Sequence, residues 1–306
     1  EPSGGTDRVS AFASGLANRG MNVTLVIPEP SGALPDRLAA VEIETVHPPL
    51  NRPLARAVAV VRRANAISTR RNAVLQIEHS SLAGVGTLVG VDEFILDMHD
   101  LAFSRFDHVS GPLTPAMRTT VKRLEARAVS QARHVIVVSE NMRQVLREEW
   151  GVANDEVSVI PNGYFPEAIE GVAADLTPGR VAFFGTLHPK VDCAAIGSVA
   201  ELAEVSGVVV IGDGAQRRRL ETIAARTDSL RLTGRLPDST AFELLKGAEV
   251  LINPQTPSAI QRTSSPVKLF YYAALGKPMV VTAGPSIVEQ LVSHTAAATS
   301  RSSTGF

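Results

Sequence analysis

Short apolar runs alternate with amphipathic stretches along the whole chain of 306 residues. The runs are continuous, as in strands that are covered on both faces of a parallel sheet. Between them, apolar side chains recur at helical spacing. This alternation predicts an α/β fold with parallel sheets and right-handed crossovers. The predicted strands cover residues 22–27, 41–46, 74–77, 94–98 and 134–138 in the first half, and 181–184, 208–211, 230–233, 250–253 and 279–282 in the second.

Turn signals divide the chain into two domains. Asn162-Gly163 supplies a turn after the strands of the first half. Residues 164–179 contain two prolines and little periodicity. We therefore predict an N-terminal domain at 1–163, a hinge at 164–179 and a C-terminal domain at 180–306. A length of 306 residues suits two domains of ordinary size.

Composition excludes several classes of protein. With 44% hydrophobic and 20% charged residues, the chain is not disordered. Its 30 basic residues against 31 acidic ones give no excess charge for nucleic acid. No apolar run approaches the roughly 20 residues of a membrane-spanning helix. The single cysteine, Cys193, forms no internal disulfide and is typical of a reducing compartment, so we expect a cytoplasmic protein.

The clearest chemistry lies in residues 264–282, which read SSPVKLFYYAALGKPMVVT. Pro266 suits the first turn of a helix at 267–274, and Gly276 suits the position just past its end. The N–H groups of that first turn and the side chain of Lys268 form a site for an anion, which we expect to be a phosphate or diphosphate. The alternative is a proline-capped helix that leads into a buried strand and binds nothing.

Polar residues follow two predicted strands of the first domain, as EHS at 78–80 and DMHD at 97–100. The carboxyl ends of strands are where α/β sheets bind ligands, so both clusters should line a crevice. Histidine and aspartate can also bind a metal, but three or four convergent ligands are not evident. We therefore predict no metal site.

Two further patterns leave alternatives open. The predicted helix at 53–68 and its flanks are rich in arginine, and such a helix can lie on anionic lipid at the inner face of a membrane. A solvated helix face is the simpler interpretation. Gly212-Asp213-Gly214 suggests a dinucleotide site, but without a third glycine a tight turn is the favoured interpretation.

Several of these strings resemble glycosyltransferase family 4. They are the stretch at 264–282, HVIVVSENMRQVLREEWGV at 134–152 and VSVIPNG at 157–163, and the similarity runs from Gly4 to about Leu291. The family has the GT-B fold, in which two Rossmann-like domains with parallel sheets face an interdomain cleft. The resemblance implies retaining transfer of a sugar from a UDP- or GDP-sugar to a glycan or lipid-linked acceptor, with no cofactor and no essential metal. A nucleotide-sugar epimerase and a non-catalytic nucleotide-sugar-binding homologue remain alternatives.

The resemblance also implies roles for individual residues. His99 matches a histidine that contacts the transferred sugar, and Lys190 and Lys268 match basic groups that neutralise the diphosphate; we expect these three to be catalytic. Gly4 and Gly5 match a loop that approaches the donor phosphates or the acceptor. The remaining residues implied in donor binding are Gly185, Thr186, Arg235, Ser265, Pro266, Val267 and Tyr271.

Tyr271 is a departure, because the family has a glutamate there that holds the ribose. Tyrosine cannot accept hydrogen bonds from both ribose hydroxyls as a carboxylate does. Either Glu289 or another nearby acidic group holds the ribose instead, or the donor site has decayed. The chain also opens without methionine and without a strand before Gly4, and its tail lacks periodicity, so we expect a sequence truncated at both ends.

Overall fold

The computed structural model describes residues 4–30, 32–48, 52–108, 111–285, 288, 291 and 297–300. They belong to two compact units, Glu1–Pro161 (unit 1) and Asn162–Phe306 (unit 2). In both units the sheets are parallel and helices connect the strands. The predicted α/β class is therefore confirmed.

Unit 1 contains two separate parallel sheets within the described residues. Its strands are β1 (Thr24–Pro28), β2 (Glu42–Val46), β3 (Gln76–Glu78), β4 (Ile95–Met98), β5 (His134–Val137) and β6 (Val157–Val159). Its helices are α1 (Gly4–Ala17), α2 (Pro53–Arg71), α3 (Ser80–Leu88), α4 (Thr114–Gln131) and α5 (Glu140–Trp150). Strands β1 and β2 form one sheet, and the second has the order β3-β4-β5-β6.

The core of unit 1 lies around the four-stranded sheet. Phe94, Leu96 and Met98 on and before β4 are fully buried, as are Met142 and Leu146 on α5. This burial on both faces explains why the strands appear in the sequence as continuous apolar runs. The carboxyl ends of β3 and β4 are adjacent, since Glu78 pairs in register with Asp97.

Unit 2 is a single six-stranded parallel sheet with the order β12-β11-β10-β7-β8-β9. Its strands are β7 (Arg180–Phe184), β8 (Gly207–Ile211), β9 (Leu230–Gly234), β10 (Val250–Asn253), β11 (Met279–Thr282) and β12 (Ala297–Ser300). Its helices are α6 (Cys193–Ala200), α7 (Arg217–Ala224), α8 (Asp238–Gly247), α9 (Ala259–Thr263) and α10 (Val267–Ala274). The strand order reverses between β7 and β10, which makes their carboxyl ends the expected ligand position.

One local expectation was wrong: Gly4 and Gly5 do not lie in a loop but in the first turn of α1, which begins at Gly4. Strand β6 was not predicted, because three residues are too short for a periodic signal. Strand β12 was not predicted either; it forms by pairing with β11, with Thr282 opposite Ser300. That pairing is a tertiary effect that an Ala/Thr-rich sequence does not reveal.

Candidate active site

The turn that precedes α10 is held in place by hydrogen bonds within unit 2. Ser265 is buried; its hydroxyl accepts the N–H of Asn162 at 3.1 Å and its carbonyl accepts the side-chain amide of the same residue at 2.6 Å. Pro266 is the N-cap and α10 starts at Val267. Helix geometry leaves the first amides of α10, those of Val267 and Lys268, without intrahelical partners. The turn can therefore present N–H groups to an anion.

Lys268 extends from this first turn across the end of β7. Its Nζ lies 4.0 Å from the centroid of the Phe183 ring. It also lies against Gly185, where an added Cβ would be 3.2 Å from both Cε and Nζ. Burial, and then the positive charge of Lys190, lower the pKa of Lys268 to about 7. A buried ammonium group with a depressed pKa, next to a second positive charge, is the electrostatic signature of a site that needs an anion.

The backbone after β8 packs directly against the loop that follows β7. Gly185 has a φ of +114°, and its N–H donates to the Ile211 carbonyl at 2.9 Å. A Cβ on Gly212 would stand 2.1 Å from the Gly185 oxygen, and one on Gly214 would stand 2.7 Å from the Leu187 oxygen. The glycines at 212 and 214 thus allow two backbones to pack directly. This is the tight-turn interpretation of the Gly-x-Gly pattern.

The segment after β10 closes against the same loop. The N–H of Thr256 donates to the Lys190 carbonyl at 2.8 Å, and its hydroxyl donates to the same oxygen at 3.2 Å. The Lys190 N–H donates to Nδ1 of His188 at 3.2 Å. Lys190 is therefore fixed at the point where the strand order reverses, close to Lys268.

The other predicted donor residues of unit 2 lie in different surroundings. Thr186 is exposed beside Gly185, and Arg235 is exposed directly after β9. Tyr271 is buried in the core of unit 2: its ring centroid lies 4.8 Å from that of Phe242, and its hydroxyl accepts the Phe165 N–H at 3.4 Å. Glu289, the suggested substitute for a ribose carboxylate, falls outside the described residues.

In unit 1 the structure brings three polar residues together at the ends of β3 and β4. His99 Nε2 lies 2.9 Å from Glu78 Oε2 and 3.7 Å from Asp97 Oδ2. Burial lowers the pKa of His99, but its hydrogen bonds with Asp97 and Glu78 and their charges outweigh burial and raise it to about 9. His99 is therefore an imidazolium at neutral pH, which can donate a hydrogen bond and cannot act as a base.

Asp97 is balanced on its other side by Arg8 of α1. The guanidinium makes two hydrogen bonds, from Nε to Oδ2 at 2.7 Å and from Nη2 to Oδ1 at 2.9 Å. Burial raises the pKa of Asp97, but hydrogen bonds with His99 and Arg8 hold it below its usual range. Arg8 was not predicted from the sequence, because a single arginine on an amphipathic helix carries no signal of its partner.

A second network surrounds His79. Its Nδ1 accepts the N–H of Ser81 at 3.2 Å, capping α3, and its Nε2 lies 2.9 Å from Asp100 Oδ1. Arg105 also pairs with Asp100, at 2.9 Å. Burial raises the pKa of Asp100, but His79 and Arg105 hold it well below its usual range. Both ring nitrogens of His79 are engaged, which fixes a residue with a positive φ of 79°.

Glu125 of α4 supports the loop that carries these histidines. It is buried and accepts three hydrogen bonds: from the Ser80 hydroxyl at 2.6 Å and from the N–H groups of Ala102 and Phe103 at 2.7 and 2.8 Å. Burial raises the pKa of Glu125 above its usual value, and this effect exceeds the lowering by the three hydrogen bonds. One carboxylate therefore joins the start of α3 to the segment that follows His99.

Glu78, Asp97 and His99 also have ligand atoms within 4.8 Å of one another, a spacing that a metal ion can use. This convergence was not predicted from the sequence, because the residues come from two neighbouring strands. Metal binding would require removal of the proton from His99 Nε2 and would compete with Arg8 for Asp97. The four side chains already balance two positive and two negative charges, so the arrangement is better suited to an ion-pair network than to a cation site.

Two family models match most of the chain. Residues 2–167 match the family model described as Glycosyltransferase Family 4, and residues 178–302 match the one described as Glycosyl transferases group 1. No curated protein sequence matches the chain. Among the helices that the structure describes, none combines the length and the hydropathy needed to cross a membrane.

Solved structures share the fold at low sequence identity. Sucrose-phosphate synthase from Thermosynechococcus elongatus is 15% identical with a TM-score of 0.74, over 97% of this chain and 80% of that one. WaaG, a glycosyltransferase involved in lipopolysaccharide biosynthesis, is 15% identical with a TM-score of 0.71, over 100% and 85%. HepE of Anabaena in complex with UDP is 17% identical with a TM-score of 0.67, over 98% and 83%. The chain therefore belongs to glycosyltransferase family 4 and consists of the α/β units of the GT-B fold.

Proposed function

We propose that this glycosyltransferase transfers a sugar, with retention of anomeric configuration, from a UDP- or GDP-sugar to a glycan or lipid-linked acceptor. The observation that carries the proposal is the meeting of Lys268, Lys190 and the first turn of α10 where the strand order of unit 2 reverses. A departing nucleoside diphosphate needs such charge stabilisation. HepE of Anabaena, whose structures contain UDP or UDP-glucose, supports the choice of donor.

Calorimetry with UDP, GDP and ADP tests the donor site. Replacement of Lys268 by methionine should weaken binding of the preferred nucleotide about 10- to 100-fold, since a hydrogen bond to a charged group contributes about 1.5–3 kcal/mol. Lys277→Met is the matched control, because it removes the same charge just beyond the other end of α10. Equal affinities for the two variants would contradict the phosphate site.

We also propose that transfer needs no divalent metal, because lysines and helix amides supply the charge for the leaving group. Release of UDP from UDP-glucose should then continue in excess chelator. Loss of release that Mg²⁺ or Mn²⁺ restores would show that the carboxylates of unit 1, or the phosphates, hold a required ion.

One observation favours a second candidate, a homologue that binds nucleotide sugar without turning it over. Tyr271 occupies the position of the family's ribose carboxylate and its side chain is buried in the core. Such a protein would bind UDP with the Lys268 dependence described above but would release no UDP from UDP-glucose with any acceptor. Measured turnover would exclude it.

A further inference from the structure

We propose that Arg8 is a positioning residue for His99. Through Asp97 it holds the Nε2 side of the imidazole between two carboxylates and leaves Nδ1 to donate to a substrate hydroxyl. This inference rests on the proposed transferase function. Arg8 lies on α1 and is not among the site residues that were predicted from the sequence.

Arg8 is placed by more contacts than a simple ion pair requires. Its side chain is 3% exposed, and Asp97 is fully buried. Besides the two bonds to Asp97, Nη1 donates to the carbonyls of Ile160 and Pro161 at 2.9 and 3.3 Å. The guanidinium thus connects α1, the end of β4 and the chain after β6. A planar fork with fixed donors suits this task, and an ammonium group does not.

The contacts of His99 show what this rigidity achieves. Nε2 is shared between Glu78 and Asp97, and Glu78 is itself fixed by the side-chain amide of Gln76 at 2.7 Å. Within the described part of the chain, Nδ1 of His99 has no hydrogen-bond partner. An imidazolium held at one nitrogen presents the other as an oriented donor.

Loss of Arg8 alone should disturb this geometry. Asp97 would remain buried with its charge uncompensated, and His99 would be the nearest cation. We expect the imidazole to move from Glu78 toward Asp97, from 3.7 Å to hydrogen-bonding distance. The donor at Nδ1 would then point elsewhere, while the donor site of unit 2 would be unaffected.

The test separates positioning from folding. In the double variant Arg8→Met with Asp97→Leu, a buried ion pair is replaced by apolar groups, an exchange that often preserves stability. Arg8→Lys serves as the second variant, because it keeps the charge and loses the fork. Arg105→Met is the matched control, because Arg105 belongs to the neighbouring His79 network. Within the described residues, Arg105 has no hydrogen bond with His99.

Side-chain ¹⁵N NMR of the full chain reports the protonation and tautomer of each histidine, and the His99 signals are assigned by their loss in His99→Asn. The double variant should lose the imidazolium signature of His99 at neutral pH, Arg8→Lys should shift it, and Arg105→Met should leave it unchanged. With UDP-glucose as the probe, the double variant should lower kcat at least tenfold and keep KM within about twofold.

Unchanged His99 signals in folded Arg8→Lys, which keeps both carboxylates, would overturn the proposal, and so would unchanged signals in the double variant if Arg8→Lys does not fold. UDP affinity measured on the same samples keeps the two hypotheses distinct. A wild-type protein that fails to bind UDP contradicts the proposed function, and the His99 signals still decide the role of Arg8.

Discussion

Nucleotide binding should weaken as pH rises above 7, because Lys268 must be protonated to hold the diphosphate. In the free protein, burial and Lys190 lower the pKa of Lys268 to about 7, so half of the molecules carry the charge at that pH. A bound diphosphate compensates both effects and restores the pKa to its ordinary high range. Affinity is therefore complete below the free-protein pKa and is lost as pH rises through it.

The size of the effect follows from this single proton. About 50% of the lysines are charged at pH 7 and about 1% at pH 9, which predicts about 50-fold weaker binding, or about 2.3 kcal/mol, at 1.36 kcal/mol per pKa unit. The terminal phosphate of a nucleoside diphosphate loses its proton near pH 6, so the range above pH 7 isolates the lysine.

Calorimetry with UDP at pH 7, 8 and 9, in two buffers of different ionisation enthalpy, measures both affinity and proton uptake. We expect uptake close to one proton per UDP at pH 9. Lys268→Arg should bind with little pH dependence in this range, because a guanidinium stays charged. A wild-type affinity that is constant from pH 7 to 9 without proton uptake would refute the reasoning.

Two further predictions concern groups that hold the candidate sites in place. Gly185→Ala should reduce UDP affinity at least tenfold, because the added Cβ would lie 3.2 Å from the Lys268 ammonium group. Gly276→Ala is the control, since Gly276 also has a positive φ but an added Cβ would have no neighbour within 4 Å. It should lower the free energy of unfolding by about 1 kcal/mol and leave the affinity for UDP unchanged. Glu125→Gln should lower the free energy of unfolding by about 1–3 kcal/mol in urea denaturation, because its new amide faces a buried donor. Glu149 is exposed, so Glu149→Gln should lower the free energy of unfolding by less than about 1 kcal/mol. Equal losses of stability in the two variants would contradict the role of Glu125.

The central strands of both units were predictable because they are buried on both faces. The predicted run 208–211 corresponds to β8, Gly207–Ile211, and 250–253 corresponds to β10, Val250–Asn253. A covered strand needs several consecutive apolar residues, and that requirement is visible without tertiary information. Strand β12 has no such signal, since its pairing partner β11 determines it.

The two candidate sites also differ in how far the sequence could predict them. The Lys268 turn is local, and proline, glycine and lysine at fixed spacing indicate it within a dozen residues. The Arg8–Asp97 pair joins residues 89 positions apart, and no spacing rule connects them. Glu78 and His99 could be placed at strand ends from the sequence, but their contact depends on the register of β3 against β4.

Tyr271 packs against aromatic rings of unit 2, at the position where the resemblance implies a carboxylate that holds the ribose. Its ring lies against Phe242 and Tyr164, with centroids 4.8 and 5.9 Å away. One helical turn earlier on α10 stands Lys268, so the aromatic contacts that immobilise this helix also fix the ammonium group. A carboxylate at 271 would have to leave water for this aromatic environment, at a cost that only a bound ribose could offset. Under the proposed function, we therefore expect the ribose of the donor to contribute little to the affinity of this site.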